Sequence, residues 1–118
     1  MRNKLLSTCA LAAAGWLSFA SAQAEIVVGV IQSQTGPVSS IGLPYVRGIQ
    51  AGQAYIGEAA GEKFRIIVLD DASDPSTAAK NTRKLIEEDK VDVIMGTAGA
   101  PATAALIAVA SELKVPVI

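Results

Sequence analysis

The sequence predicts an α/β fold, a doubly wound parallel sheet with helices packed on it. Three apolar runs rich in β-branched residues, residues 26–31, 64–69 and 91–95, have the composition of strands buried on both faces. The segments between these runs carry apolar residues at helical spacing. An alternation of strands and helices is the order that gives a parallel sheet with right-handed crossover connections.

Residues 1–24 precede this pattern and have the features of an export signal. They begin with the basic stretch Arg-Asn-Lys at residues 2–4, continue as an apolar run over residues 5–20, and end in Ala-Gln-Ala at residues 22–24. A small residue on either side of one variable position is what signal peptidase recognises. We expect cleavage after residue 24, so that residues 25–118 form the mature, exported domain. An uncleaved membrane anchor is disfavoured, because the apolar run is shorter than the roughly 18 residues that a spanning helix needs.

The cysteine and charge content restrict the function further. The single cysteine, Cys9, lies near the start of the predicted signal, so the mature domain has no disulfide, and the position does not fit a lipoprotein cysteine. The chain has 10 basic and 11 acidic residues, and two of the basic ones, Arg2 and Lys4, lie in the signal, which leaves a net charge of −3. This balance predicts no nucleic-acid partner.

The residue types of the mature segment do not support catalysis. The chain has no histidine, and no cysteine follows Cys9, which removes the Ser-His-Asp and Cys-His nucleophile systems and the usual zinc sites. A glycine-rich phosphate loop followed by Lys-Ser or Lys-Thr is missing, and so is the Gly-x-Gly-x-x-Gly fingerprint of dinucleotide-binding folds. We therefore expect a binding protein without enzymatic activity, cofactor or metal.

The first helix is predicted after a loop rich in glycine, proline and serine that follows the first strand. Ser40 is either the N-cap of this helix or a hydroxyl donor for a ligand, and both alternatives are open. The glycines Gly57 and Gly61 mark the end of the helix. Its positions at three- and four-residue spacing are Val46, Ile49, Gln53, Ile56 and Ala60.

The second helix has a clearer start. Asp74 is a good N-cap, and Pro75 occupies the first helical position, where the missing N–H does no harm. The apolar stripe that follows consists of Ala78, Ala79, Thr82, Leu85 and Ile86.

The third helix and a fourth strand complete the predicted elements. The helix begins near Pro101 and continues to Leu113. Residues 115–118, Val-Pro-Val-Ile, then look like a further strand.

Ligands of such sheets bind at the carboxyl ends of the strands, so the loops there are the candidate site. After the second strand, Asp70, Asp71 and Asp74 form either an oxygen-ligand cluster for calcium or a set of structural carboxylates. We favour structural roles, because Asp74 suits a helix cap and no bidentate glutamate follows, and we expect Asp71 to face the crevice.

The loop at residues 96–104 suits a carboxylate ligand. Its small residues let a ligand approach the backbone, and the free N–H groups at the start of the third helix attract negative charge. Thr97 and Thr103 each offer a hydroxyl donor. For Thr103, a purely structural role within its own helix is an equal alternative.

These passages carry a family resemblance. Residues 26–42, 69–75, 90–96 and 115–118 resemble the N-terminal lobe of the branched-chain amino acid (Leu/Ile/Val) binding proteins. The resemblance implies a type I periplasmic binding protein, which is the extracytoplasmic receptor of an ABC transporter. In that family the receptor has two lobes and a hinge that closes on the solute, so residues 25–118 are expected to be a partial N-terminal lobe.

The resemblance also implies which residues contact the solute. Two departures from the family are Ile41, where those receptors carry an aromatic residue, and Ala100, where they carry a serine. These changes make another small carboxylate or amide, such as an aromatic acid, an alternative solute. The positions of a family disulfide, Ser73 and Gly99, both lack cysteine. Together with Thr103, the expected ligand-binding residues are Ile41, Ala98, Gly99, Ala100 and Thr103.

The expected function is that of a periplasmic receptor for a branched-chain or related amino acid. It delivers this small-molecule solute to an ABC permease in the inner membrane. A ligand-sensing regulatory module of the same fold is a further alternative, and the export signal argues against it.

Overall fold

A computed structural model describes residues 25–118, and the predicted signal peptide, residues 1–24, lies outside the described residues. Strands and helices alternate along most of this length. In chain order the elements are β1 (Ile26–Gln32), α1 (Ser39–Ile56), β2 (Glu58–Ala59), β3 (Glu62–Asp70), α2 (Pro75–Glu87), β4 (Val93–Met95) and α3 (Ala100–Glu112).

β1 lies inside the sheet, whose strand order is β2-β3-β1-β4. It pairs in parallel with β3 on one side, in a register that sets Gln32 beside Asp70, and with β4 on the other, where Val30 is beside Met95. All three parallel strands therefore end at the same edge. The predicted α/β class is confirmed, with β1, β3 and β4 parallel. The expected burial of the strands is found in β1, whereas β3 has no buried residue.

The core lies between the sheet and the helix pair α2 and α3, which pack against each other. The predicted apolar stripe of α2 supplies two of its residues, Ala78 and Leu85, both fully buried. At the start of α2, Asp74 Oδ1 accepts a hydrogen bond of 2.7 Å from the N–H of Thr77, so the predicted N-cap is confirmed. The buried cluster consists of Val27, Ile31, Ala78, Leu85, Val91, Ile94, Ala102 and Leu106.

α1 differs from its prediction at both ends. Its N-cap is Val38, which makes no side-chain cap, so the N-cap alternative for Ser40 is wrong. The helix ends at Ile56 because Gly57 takes a φ of 69°. The predicted continuation to Ala60 is wrong as well: that residue lies in the turn of a hairpin in which β2 pairs with β3 in antiparallel fashion.

α1 is also sparsely packed among the described residues. Of its 18 residues, Gly42 and Val46 are buried, and both lie in its first half. Several large apolar side chains of the helix are exposed: Ile41, Leu43, Tyr45, Tyr55 and Ile56.

Residues 115–118 pair with β4, as predicted for a fourth strand, through one parallel bridge between Ile94 and Val117. The Ile94 N–H donates to the carbonyl of Pro116, and the Gly96 N–H donates to the carbonyl of Ile118. The proline therefore contributes only its carbonyl to the pairing. Among the helices that the structure describes, none has the length and apolar character to cross a membrane.

α1 touches the end of β1 through a close backbone contact at Gly42. A Cβ atom at this position would overlap the carbonyl oxygen of Ser33, which directly follows β1. Glycine is therefore required for α1 to approach the sheet at this point, because backbone cannot move aside as a flexible side chain does.

We predict that Gly42→Ala lowers the free energy of unfolding by about 2 kcal/mol, because α1 has to move away from Ser33. The matched control is Gly48→Ala on the same helix, where the position is exposed and a Cβ meets no atom within 4 Å. That change is expected to stabilise the protein by about 0.5–1 kcal/mol. Urea unfolding of the two variants distinguishes the effects, and similar stabilities of the two would contradict the steric argument.

Candidate functional site

One buried carboxylate connects the loops that follow the three parallel strands. Asp71 follows β3, and its Oδ1 accepts hydrogen bonds from the Ser33 hydroxyl after β1, at 2.7 Å, and from the Ser73 N–H, at 2.8 Å. Its Oδ2 accepts from the hydroxyl of Thr97, which follows β4. Asp71 and Ser33 are fully buried. The expectation that Asp71 faces the crevice is therefore wrong, because both carboxylate oxygens are engaged inside the protein.

The neighbouring carboxylate, Asp70, holds the loop after β1. Its Oδ1 accepts from the Gln34 N–H at 2.8 Å and the Ala72 N–H at 2.9 Å, and its Oδ2 accepts from the Thr35 hydroxyl at 2.7 Å. Burial acts to raise the pKa of Asp70, but these hydrogen bonds, led by the Thr35 hydroxyl, outweigh it and hold the pKa below the usual value.

Asp70 at the end of β3, and Asp71 and Asp74 after it, thus act as structural acceptors. Hydrogen bonds from the backbone N–H and hydroxyl of Thr77 lower the pKa of Asp74, the helix cap. Among residues 25–118, no group of three or more acidic, histidine or cysteine side chains is placed to hold a metal ion.

A cavity of about 440 Å³ opens beside these loops, at the carboxyl ends of β1 and β4. α1 forms one wall and the start of α3 forms another. The lining residues are Gln32, Ile41, Tyr45, Met95, Gly96, Thr97, Ala98, Thr103 and Ile118.

Three of the five expected ligand-binding residues, Ile41, Ala98 and Thr103, line this cavity. The other two, Gly99 and Ala100, do not line it. Gly99 is the N-cap of α3, and Ala100 is the first residue of that helix. Because Gly99 has no side chain to cap the helix, the N–H groups of the first turn have no side-chain partner there.

The Thr103 hydroxyl has a structural role beside its place in the cavity wall. Its hydrogen is shared between the carbonyl of Gly99, at 3.0 Å, and the carbonyl of Thr97, at 3.2 Å. It ties the loop after β4 to the first turn of α3, which was the structural alternative considered for this residue.

Sequence reasoning missed Gln32 and Tyr45, which both line the cavity. Tyr45 lies one helical turn after Ile41, and a search at four-residue spacing would have found it. Gln32 is the polar last residue of an apolar strand. Its side chain is 5 % exposed, and its Nε2 donates to the Gly96 carbonyl at 2.8 Å.

Comparison with protein families gives a match along the whole described chain. The family model described as periplasmic binding protein matches residues 25–118. Among curated proteins, the Leu/Ile/Val-binding protein homolog 3 of Brucella melitensis is 35% identical over 100 residues, which are 81% of this chain and 26% of that protein. An amino acid binding protein of Pseudomonas aeruginosa is 33% identical over 78 residues, 64% of this chain and 21% of that protein. The chain thus spans about a quarter of the length of these relatives.

Solved structures agree. An extracellular ligand-binding receptor from Rhodopseudomonas palustris is 42% identical, with a TM-score of 0.73 over 80% of this chain and 26% of that chain. A solute binding protein of an ABC transporter from another strain of that species, in complex with 3,4-dihydroxy benzoic acid, is 33% identical, with a TM-score of 0.74 over 79% of this chain and 26% of that chain.

We predict that Asp71→Ala lowers the free energy of unfolding by about 3 kcal/mol, because it leaves the Ser33 hydroxyl, the Thr97 hydroxyl and the Ser73 N–H without their acceptor. The matched control is Asp74→Ala, which removes an exposed helix cap and is expected to cost clearly less. Urea unfolding measures both, and equal losses would contradict the connecting role of Asp71.

The lowered pKa of Asp70 predicts that the protein loses stability in acid. Because its pKa is lower in the folded than in the unfolded protein, its contribution is present above the unfolded-state pKa near 4 and is lost as the pH falls through the folded-state pKa. Asp70→Asn is therefore expected to be less stable than the wild type at pH 7, with a difference that narrows as the pH falls below about 4. Thermal unfolding across this range tests it, and a difference that does not vary with pH would contradict it.

Proposed function

The chain belongs to the periplasmic binding protein family, and from this we propose that it forms part of the receptor of an ABC importer for a small carboxylate solute. The family predicted from the sequence is confirmed by the match over residues 25–118. The observation that carries the proposal is the cavity at the carboxyl ends of β1 and β4, the place where open α/β sheets bind ligands.

The start of α3 supports a carboxylate as the bound group. Its first turn has no side-chain cap at Gly99, and the helix dipole brings partial positive charge to that end. Ala98 and Gly96 in the adjacent cavity wall are small, so a ligand has room to approach the backbone. An anion accepted here needs no cationic side chain.

The remaining walls are suited to an apolar ligand body. Ile41, Met95 and Ile118 offer apolar surface. We propose a branched-chain or related amino acid as the solute, in line with the names of the curated relatives. The parent receptor is then released into the periplasm by removal of residues 1–24, closes a second lobe over the open side of the cavity, and docks on a permease in the inner membrane.

An aromatic acid is the second candidate solute. Tyr45 borders the cavity one turn from Ile41 and offers a ring for stacking against an aromatic ligand. The R. palustris solute binding protein in complex with 3,4-dihydroxy benzoic acid shares 33% identity with this chain, which also favours this candidate.

The test is thermal unfolding of the gene product at its natural length with L-leucine, L-isoleucine, L-valine, 4-hydroxybenzoate and 3,4-dihydroxybenzoate. We expect at least one solute to raise the melting temperature, since a ligand at 100 times its Kd adds about 2.7 kcal/mol of stability. No shift with any of the five would contradict the proposal.

Two substitutions locate the effect. Ala98→Glu introduces negative charge into the cavity wall and is expected to abolish the shift. Ala59→Glu is the matched control, because β2 pairs with the amino end of β3, away from the cavity edge, and it is expected to retain the shift. Retention of the shift in Ala98→Glu would place binding elsewhere.

A further inference from the structure

The carboxamide of Gln32 is the one buried side-chain group in residues 25–118 with an unpartnered polar atom. Its Oε1 receives no hydrogen bond, although Gln32 is buried, at 5 % exposure. The residue also lines the cavity. A buried acceptor without a donor is costly and calls for an explanation at a binding site.

The orientation of this carboxamide is fixed by its neighbour. Nε2 lies 2.8 Å from the carbonyl oxygen of Gly96, another lining residue, and that oxygen can only accept. The reversed amide would set two oxygens against each other, so Oε1 is the free atom.

Two backbone N–H groups and one hydroxyl of neighbouring residues donate their hydrogen bonds to other acceptors. The Asp71 N–H donates to the backbone carbonyl of Gln32, and the Gly96 N–H donates to the carbonyl of Ile118. The Thr97 hydroxyl donates to Asp71. None of these three donors is left for Gln32 Oε1, and because Gln32 lines the cavity, a group bound in the cavity is the partner that we consider.

We propose that Gln32 is a specificity-determining residue whose Oε1 accepts a hydrogen bond from the bound solute. It selects solutes that carry an N–H or O–H donor in addition to their carboxylate, such as an ammonium or a ring hydroxyl. This inference rests on the proposed function of the cavity. A solute of the same shape without the donor leaves Oε1 buried and unpaired, and such mismatches are rejected strongly.

The experiment measures Kd by calorimetry, with the gene product at its natural length, for two matched solute pairs. L-leucine is compared with 4-methylpentanoate, which lacks the amino group, and 4-hydroxybenzoate is compared with 4-methylbenzoate, in which a methyl group replaces the hydroxyl. Other polar groups of the receptor also favour one solute of a pair over the other. For each pair we define the ratio as the Kd of the solute without the donor divided by the Kd of the solute with it. The readout is the change in this ratio when Gln32 is substituted.

Gln32→Met keeps the approximate size of the side chain and removes the acceptor. For the pair of solutes that the wild type binds, we expect the substitution to reduce the ratio at least tenfold, because it lowers the affinity for the solute that carries the donor. Gln34→Met is the matched control two residues along the chain, where the residue is outside the cavity lining and its backbone N–H still bonds Asp70. It is expected to leave the ratio unchanged.

The outcomes separate the two proposals. If the wild type binds neither pair nor any solute of the thermal panel, the proposed function fails, and this inference with it. If a pair binds and Gln32→Met leaves the ratio unchanged, or weakens both members equally, the inference alone is overturned. Should Gln32→Met fail to fold, Gln32→Asn withdraws the oxygen while keeping a carboxamide, and it is expected to lower the ratio in the same way.

Discussion

The carboxylate of Asp71 is the acceptor on which the arrangement of the site depends. Parallel strands end side by side, but the loops that follow them carry no ladder hydrogen bonds to fix their relative positions. Hydrogen bonds from Ser33 and Thr97 to a single buried carboxylate supply that link across β1, β3 and β4. The wall formed by Thr97 is therefore set by a group that does not itself line the cavity.

The adjacent residues Asp70 and Asp71 bond different groups, because the side chains of neighbouring residues in an extended segment point to opposite sides. Asp71 turns inward to hydroxyl groups, whereas Asp70 accepts from the N–H groups of Gln34 and Thr35 in the loop after β1. That loop carries the chain from Gln32 into α1, so its conformation determines where Ile41 and Tyr45 stand. The site is thus positioned by carboxylates that are hydrogen-bonded within the protein itself, and the side chains that line the cavity are uncharged.

The sequence predicted the three parallel strands from their apolar runs, but the burial expected of those runs is found in β1, whereas β3 has no buried residue and β4 has one, Ile94. It also predicted the start of α2, where Asp74 and Pro75 act locally. It failed at the end of α1, because the apolar spacing continues to Ala60 while Gly57 stops the helix. Site residues were harder to predict: the hydroxyl partners of Asp71 and the free oxygen of Gln32 follow from tertiary contacts across more than 25 positions, which periodicity does not encode.

The uneven burial of α1 implies that its two halves exchange their amide hydrogens differently. The first half is anchored to the sheet by Gly42 and Val46, and Ile41 and Tyr45 line the cavity from there. The second half, among the residues described, has only its own helical hydrogen bonds, with Tyr55 and Ile56 exposed. Segments held by so few buried contacts open locally at low free energy. The cavity wall accordingly belongs to the slowly exchanging part of the molecule, while the far end of the same helix opens as a separate unit.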